Sequence, residues 1–224
     1  MAVEWAEMNI GVEVALLVPV AYLLGTFPSA ALVARRSGVD VTAEGSGNPG
    51  ASNTFRLLGW KAGALVFGLD ALRGALAAGI GLAVDGHRGA YVLGVAAILG
   101  HMLPITRHFK GGRGVATGGG VMLVLFPALT LAMSALWVVL ARLTHKASIA
   151  SVTVAIAFPI CVALAGHEWG DVAVITIMSL LVVGRHVSNL RRLVKGEELG
   201  IDTTEQSEPE PEEPPDVGDE RAAS

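Results

Sequence analysis

The stretch GSGNPGASNTFR (45–56) gathers glycines, hydroxyls, amides and one arginine into twelve residues. GHMLPITRHFKGGRGVATGGG (100–120) adds Lys110 and Arg113 among glycines. THKASIAS (144–151) adds Ser148 and Ser151, and RHVSNLRRLVKGEE (185–198) adds His186 and Asn189. Glycine permits positive φ and lets the backbone approach a ligand closely, so successive amides can converge on one concavity. Amides, hydroxyls and cations arranged that way suit an anion, phosphate above all. KGGRG is a phosphate cradle in this physical sense only. The string G-x-x-x-x-G-K-[ST] is absent, so no nucleotide is inferred. Taken singly, each glycine cluster serves equally well as a hinge or a close-packing point between membrane helices.

Other chemistries find less support. No HExxH or similar ligand spacing is present, so no metal is expected. None of the six histidines has an aspartate five positions later, which removes the His-x-x-x-x-Asp dyad of the common acyltransferases. His87, His167, His108 and His145 read as solvated or interfacial. His101 and His186 stand near membrane depth beside other polar groups, where a polar residue is a functional candidate by default and a structural hydrogen bond is the alternative. Asp70 and Arg73, three residues apart, read as an ion pair on one helix face. The single cysteine, Cys161, excludes an internal disulfide and reads as a small packing residue.

These residues sit in a chain built for a bilayer. Of 224 residues 52% are hydrophobic and 16% charged, against about 25% charged in soluble domains. Apolar runs at Val12–Ala34, Gly63–Val84, Gly89–Ile105, Ser148–Ala165 and Val172–Gly184 are candidate spans. Val115–Leu143 is too long for one span and holds Pro127, which cannot continue a helix, so the sequence predicts a split near Phe126–Ala128. The expectation is an all-α integral membrane protein of about seven transmembrane helices, with its N-terminus outside and its C-terminus cytoplasmic. That orientation puts Arg35, Arg36, Arg56, Lys61, Arg107, Lys110, Arg113, Arg142 and Lys146 inside. Arg185, Arg191, Arg192 and Lys195 join them, and only Arg88 is left outside. Met1–Ile10 has two glutamates and no basic residue, unlike a signal peptide. Two regions are expected: a membrane domain over 1–200 and a disordered cytoplasmic tail over 201–224. The tail's acidic, proline-rich run EQSEPEPEEPPDVGDE (205–220) cannot bury enough surface to order itself.

In this order and between these spans, GSGNPGASNTFRLLG, GHMLPITRHFKGGRGVAT, the serine pair of THKASIAS and RHVSNLRRLVKGEE resemble the bacterial acyl-phosphate-dependent glycerol-3-phosphate acyltransferase family. The resemblance runs from Tyr22 to Glu198 and leaves out the tail. It implies transfer of a fatty acyl group from acyl phosphate to the 1-hydroxyl of glycerol 3-phosphate, giving lysophosphatidic acid and phosphate for phospholipid synthesis, without a cofactor. It assigns catalytic positions to Ser46, His186 and Asn189. It assigns substrate binding to Ser46, Gly47, Asn48, Gly50, Asn53 and Arg56 in the first motif, and to His101, Lys110, Gly111, Gly112 and Arg113 in the second. Ser148, Ser151 and Asn189 complete the set. Ser52 stands where the family usually has threonine, and Arg113 where it usually has lysine. A planar fork thus replaces a point charge, leaving either Lys110 or Arg113 as the principal cation. Ser46 would relay a proton or only donate a hydrogen bond.

The implied setting is the bacterial inner membrane, multi-pass, with the site facing the cytoplasm. The partners are the two substrates and membrane lipid, with no nucleic acid and no obligate protein partner. The alternative from another class is a transporter or channel for a phosphorylated metabolite. It expects polar groups near mid-membrane with access from both sides, whereas here they gather on the inner side.

Overall fold

A computed structural model describes residues 11–201. Met1–Ile10 and the acidic run 205–220 therefore lie outside the described residues. Among those described, all regular structure is helical: α1 (Val12–Gly25), α2 (Ser29–Ala34), α3 (Ala51–Met102), α4 (Val115–Leu125), α5 (Pro127–Thr144), α6 (Ala147–Leu164), α7 (Trp169–Arg185) and α8 (Val187–Val194).

The 52-residue α3 is not one rod. Gly81 and Gly89 lie so close that a Cβ on either would strike the other's carbonyl. Eight residues of straight helix would hold them about 12 Å apart. The chain therefore reverses between them, at Asp85–Gly86, where the backbone leaves helical φ/ψ and Gly86 takes φ +58°. The expected DGHR turn between two spans is this reversal. A second break, at Gly59 (φ +82°), brings Phe55 back onto Gly63. Here the structure corrects the sequence reading: residues 51–56 are the start of a helix, so the first motif is half loop and half helix. Ser148 and Ser151 likewise sit in the first turns of α6, and Asn189 sits on α8 instead of in a loop. The split between α4 and α5 falls where Pro127 demanded it.

By length and composition four helical runs can cross a membrane: Val12–Ser37, Ala51–Arg107, Pro127–Thr144 and Ala147–Leu164. There are five if α7 and α8, bent by 51°, count as one span. α4 has 11 residues, about 16 Å, which is short of a bilayer by itself. Leu16, Leu131, Ile160, Leu164 and Leu180 present their side chains outward, as lipid contact requires.

The first span is interrupted at Thr26–Pro28, and in a bilayer the freed carbonyls need partners from the protein. Arg73 on α3 supplies them. Its Nη1 donates to the carbonyls of Gly25 (2.9 Å) and Phe27. Its Nη2 pairs with Asp70 at 2.7 Å and contacts His101 Nδ1, and its Nε donates to Thr117 Oγ1 on α4 at 3.3 Å. Ser29 Oγ completes the cluster by donating to Asp70. Arg73 is 4% and Asp70 1% exposed, so this is a fully internal network. The ion pair read from sequence is there, and it ties α1, α2, α3 and α4 together.

Arg73→Ala leaves the buried Asp70 carboxylate without its counter-charge and the Gly25 carbonyl without its donor, a loss expected to cost about 3–5 kcal/mol. Unfolding of the purified protein in mixed micelles measures it. A loss below about 1 kcal/mol would show that something other than Arg73 satisfies the break.

Candidate functional site

The first motif is held by Asn53. Its Oδ1 accepts from the Ser46 amide (2.8 Å), and its Nδ2 donates to the carbonyls of Val41 (2.9 Å) and Glu44 (3.0 Å). At 1% exposure Asn53 is the loop's internal brace. Gly45 and Gly47 take φ of +60° and +65°, turning the chain so that Ser46 faces inward. Three residues along α3, Arg56 donates through Nη1 to Asn53 Oδ1 (3.1 Å). Its Nε and Nη2 donate to the Gly200 carbonyl (2.9 and 2.6 Å).

The second motif places its two cations differently. Arg113 is half-buried and lines the site, whereas Lys110 is exposed and lines neither cavity described below. Gly111 and Gly112 pack directly on His101, whose carbonyl accepts from the Gly112 amide at 3.1 Å. Burial lowers the Arg113 pKa to about 10, Glu198 opposes the shift, and Arg192, Arg56 and Arg185 reinforce it. Arg113 remains a cation at neutral pH.

At the bend between α7 and α8, His186 is 1% exposed and its Nδ1 lies 2.8 Å from the Val182 carbonyl. A carbonyl can only accept, so Nδ1 carries the proton in the neutral ring and Nε2 is the acceptor nitrogen. One turn on, Asn189 Nδ2 donates to Glu198 Oε1 (2.6 Å), and Arg192 Nε donates to Glu198 Oε2 (2.9 Å). Lys146 Nζ donates to the Glu198 carbonyl, and the Ile201 amide to the carbonyl of His145 (2.9 Å). The segment from Glu198 to Ile201 is thus strapped across the loops. Burial pushes the Glu198 pKa up, but Asn189, Ser148 and Arg192 together outweigh it and hold the carboxyl below its usual range.

Two adjoining cavities result. A small one of about 10 Å³ is lined by Ser46, Ser52, Arg56, Arg113, Ser148, Asn189, Arg192 and Glu198. Three guanidinium groups there face one carboxylate, which leaves two positive charges without a counter-charge among the lining residues. Ser148 Oγ and Asn189 Oδ1 are buried without a hydrogen-bond partner of good geometry among the described residues. Such orphaned groups are costly, and the cavity has room for no more than about one water. The large cavity, about 650 Å³, shares Ser52, Arg113 and Ala147 with the small one. Phe55, Trp60, Phe67, Met133, Trp137 and Phe158 give it apolar walls, and Asn48, Gly50, His101, Ser151 and His186 lie along it. Ser151 accepts from Trp137 Nε1 (2.9 Å) and donates to the Ala147 carbonyl (2.8 Å), so it anchors a wall of the chamber.

Of the residues proposed from sequence, Ser46, Arg56, Arg113, Ser148 and Asn189 converge on the small cavity. Asn48, Gly50, His101, Ser151 and His186 line the chamber. Gly47, Asn53, Lys110, Gly111 and Gly112 line neither cavity. Sequence reasoning missed Arg192 and Glu198. The three-residue spacing of His186, Asn189 and Arg192 was the available signal, since it stacks them on one helix face. Among the described residues no group of three or more His, Cys, Asp or Glu is placed to hold a metal.

Comparison with known proteins bears on this arrangement. The family model described as "Glycerol-3-phosphate acyltransferase" matches residues 15–196. A Bacillus subtilis (strain 168) protein called glycerol-3-phosphate acyltransferase is 37% identical over 182 residues, 81% of this chain and 94% of that relative. One from Shewanella woodyi, with the same name, is 40% identical over 181 residues, 80% of this chain and 88% of the relative. The crystal structure of PlsY (YgiH), an integral membrane glycerol 3-phosphate acyltransferase, matches in its glycerol 3-phosphate form with TM-score 0.80 and 36% identity. That match covers 84% of this chain and 95% of the other. Its lysophosphatidic acid form matches with TM-score 0.78 and 36% identity, over 85% and 96%.

Two measurements probe the charge arrangement. Arg113→Gln should weaken binding of inorganic phosphate about ten- to a hundredfold, the worth of one charge-assisted hydrogen bond, while Lys110→Gln leaves it within about threefold. Phosphate titrations followed by ³¹P NMR would reverse the assignment if Lys110→Gln were the damaging change. The Glu198 carboxyl has its pKa lowered on folding, so its stabilisation is complete above the ordinary glutamate range and is lost as pH falls through the lowered value. Thermal unfolding of the wild type should therefore show an acid limb that Glu198→Gln lacks. Superimposable acid limbs would place the lost stability at another carboxylate.

Proposed function

The chain belongs to the glycerol-3-phosphate acyltransferase family and converts glycerol 3-phosphate to lysophosphatidic acid; from that premise we propose that its acyl donor is an acyl phosphate and that both phosphates are held where the arginine-lined cavity adjoins the large chamber. The observation that carries the proposal is the division of the site. Two positive charges without a counter-charge among the lining residues adjoin an apolar chamber of about 650 Å³. One end suits phosphate, the other a fatty chain.

The chemistry follows from the donor. The 1-hydroxyl oxygen attacks the acyl carbon, an ester C–O bond forms, and the bond from the acyl carbon to the phosphate oxygen breaks. Inorganic phosphate leaves and the hydroxyl proton passes to a phosphate oxygen. An acyl phosphate is already an activated anhydride, so a covalent acyl-enzyme is unnecessary. The protein's part is positioning and stabilisation of charge as it moves to the departing phosphate. Arg56, Arg113, Ser148 and Asn189 bind phosphate oxygens. Ser46, with its amide fixed by Asn53, donates to the reacting group or relays its proton. His186, with Nδ1 committed to Val182, offers Nε2 as an acceptor for the glycerol hydroxyl.

Seven spans in the bacterial inner membrane, with the site facing the cytoplasm, complete the reading. The two arms of α3 count as separate spans, α4 and α5 as two more, and α1, α6 and α7 as one each. The clustering of lysine and arginine at the end that holds the motifs supports this orientation. No observation favours the transport reading, because the candidate anion ligands gather at one end of the helices.

A donor-swap assay tests the proposal. Purified protein should form lysophosphatidic acid from acyl phosphate and not from acyl-CoA or acyl carrier protein, with intersecting initial-rate plots. Comparable turnover with a thioester donor would overturn the donor assignment. Parallel plots, with an ester trapped on Ser46, would replace direct transfer by a covalent route.

A further inference from the structure

Arg185 lines neither cavity, yet it is bonded to the second motif across 73 residues of sequence. From the last turn of α7 its Nη2 donates to the Gly111 carbonyl at 2.8 Å and its Nε to the Gly112 carbonyl at 3.2 Å. One planar guanidinium thus holds two consecutive carbonyl oxygens, a task suited to its fixed fork of donors.

The consequence follows from peptide planarity. In a trans peptide the N–H points opposite to the preceding C=O. With the Gly111 carbonyl turned to Arg185, the Gly112 amide must face the other way, and it does, donating to the His101 carbonyl at 3.1 Å. By the same rule the Gly112 carbonyl, held by Arg185, directs the Arg113 amide away from Arg185. Two adjacent glycines would otherwise turn these peptide planes freely. A turned plane would present a carbonyl oxygen, the negative end of its dipole, where an anion has to bind. The loop is already contorted: His108 and Phe109, neither of them glycine, take φ of +52° and +62°, and Gly114 takes +81°. Arg185 also immediately precedes His186, so the clamp ties the loop bearing Arg113 to the bend bearing His186 and Asn189.

We propose that Arg185 is a positioning residue: it clamps the carbonyls of Gly111 and Gly112 away from the anion pocket and thereby sets Arg113 for phosphate binding. This deepens the phosphate assignment made above and rests on it, but it does not depend on the identity of the acyl donor.

The test uses the full chain and inorganic phosphate as probe, with Arg185→Lys as the central variant. Lysine keeps the positive charge but cannot hold two carbonyls in one plane. Arg185→Lys and Arg185→Gln should each weaken phosphate binding at least tenfold while the thermal midpoint stays near that of the wild type. The KM for glycerol 3-phosphate should rise by a similar factor with kcat changed less than threefold. Since Arg185 acts through Arg113, adding Arg113→Gln to Arg185→Lys should cost no more than Arg113→Gln alone. Wild-type phosphate affinity in Arg185→Lys overturns the proposal, because the charge alone would then suffice. Additive losses in the double variant overturn it too, as does failure of both Arg185 variants to fold, which would make the arginine a support of the fold. If Arg113→Gln by itself leaves phosphate affinity intact, the underlying phosphate assignment fails, whatever Arg185 does.

Discussion

A polypeptide in a bilayer has no water to accept its unpaired backbone groups, and Arg73 answers that constraint where this chain breaks its first span. Pro28 has no amide hydrogen to donate, so a break near it leaves carbonyls exposed to hydrocarbon. Arg73 covers those of Gly25 and Phe27, Asp70 neutralises Arg73, and Ser29 and Thr117 satisfy what remains. The cluster thereby fixes α1, α2 and α4 against α3. It extends to the site through His101, whose ring meets Arg73 and whose carbonyl receives the Gly112 amide. A buried ion pair is weak evidence for stability in general. Here it earns its place by satisfying a broken helix and seating a loop.

Close backbone approach follows from the same solvent. Hydrocarbon gives no hydrophobic drive for helices to associate, so packing requires small residues at the contacts. Gly74 and Gly120 let α3 meet α4 with backbone against backbone, and Gly25 and Gly100 do so between α1 and the returning arm of α3. A Cβ at any of the four would collide with a carbonyl. Glycine thus serves packing at these four positions, and at Gly45, Gly47, Gly86 and Gly114 it shapes turns instead.

The end of the helices that holds the motifs carries an excess of positive charge that the protein only partly neutralises. Glu198 gathers Asn189 and Arg192 around its carboxylate and faces Arg56 and Arg113, holding the strap across the mouth of the site. On the proposed reading, self-repulsion among the arginines is offset when a phosphate dianion binds, and the adjoining chamber takes the apolar part of the same molecules. An amphiphilic product fits a site divided this way, with its headgroup among guanidinium groups and its chain among Phe55, Trp60 and Phe158.

Composition and patterning were enough for the all-helical membrane class, the split before Pro127, the reversal near Asp85 and the four polar motifs, because hydropathy and backbone chemistry are local properties of the chain. The pairing of Asp70 with Arg73 was legible for the same reason, since three residues on a helix place two side chains on one face. Membership of the site was not local. Nothing in the order of residues separates Arg113 from Lys110 three positions earlier. Only the fold buries one beside Asn189 and leaves the other in solvent. Asn53 looked like a ligand and is a brace, because its partners, Val41 and Glu44, meet it only when the loop closes. Ser151 looked like the twin of Ser148, but the helical turn carries it to Trp137. Glu198 and Arg192 read as part of a charged run until the bend after α7 turned them inward. The sequence alone determined which side chains could bind an anion, since that depends on residue type. Which of them share one cavity was decided by the tertiary structure, because they converge on it from four distant segments.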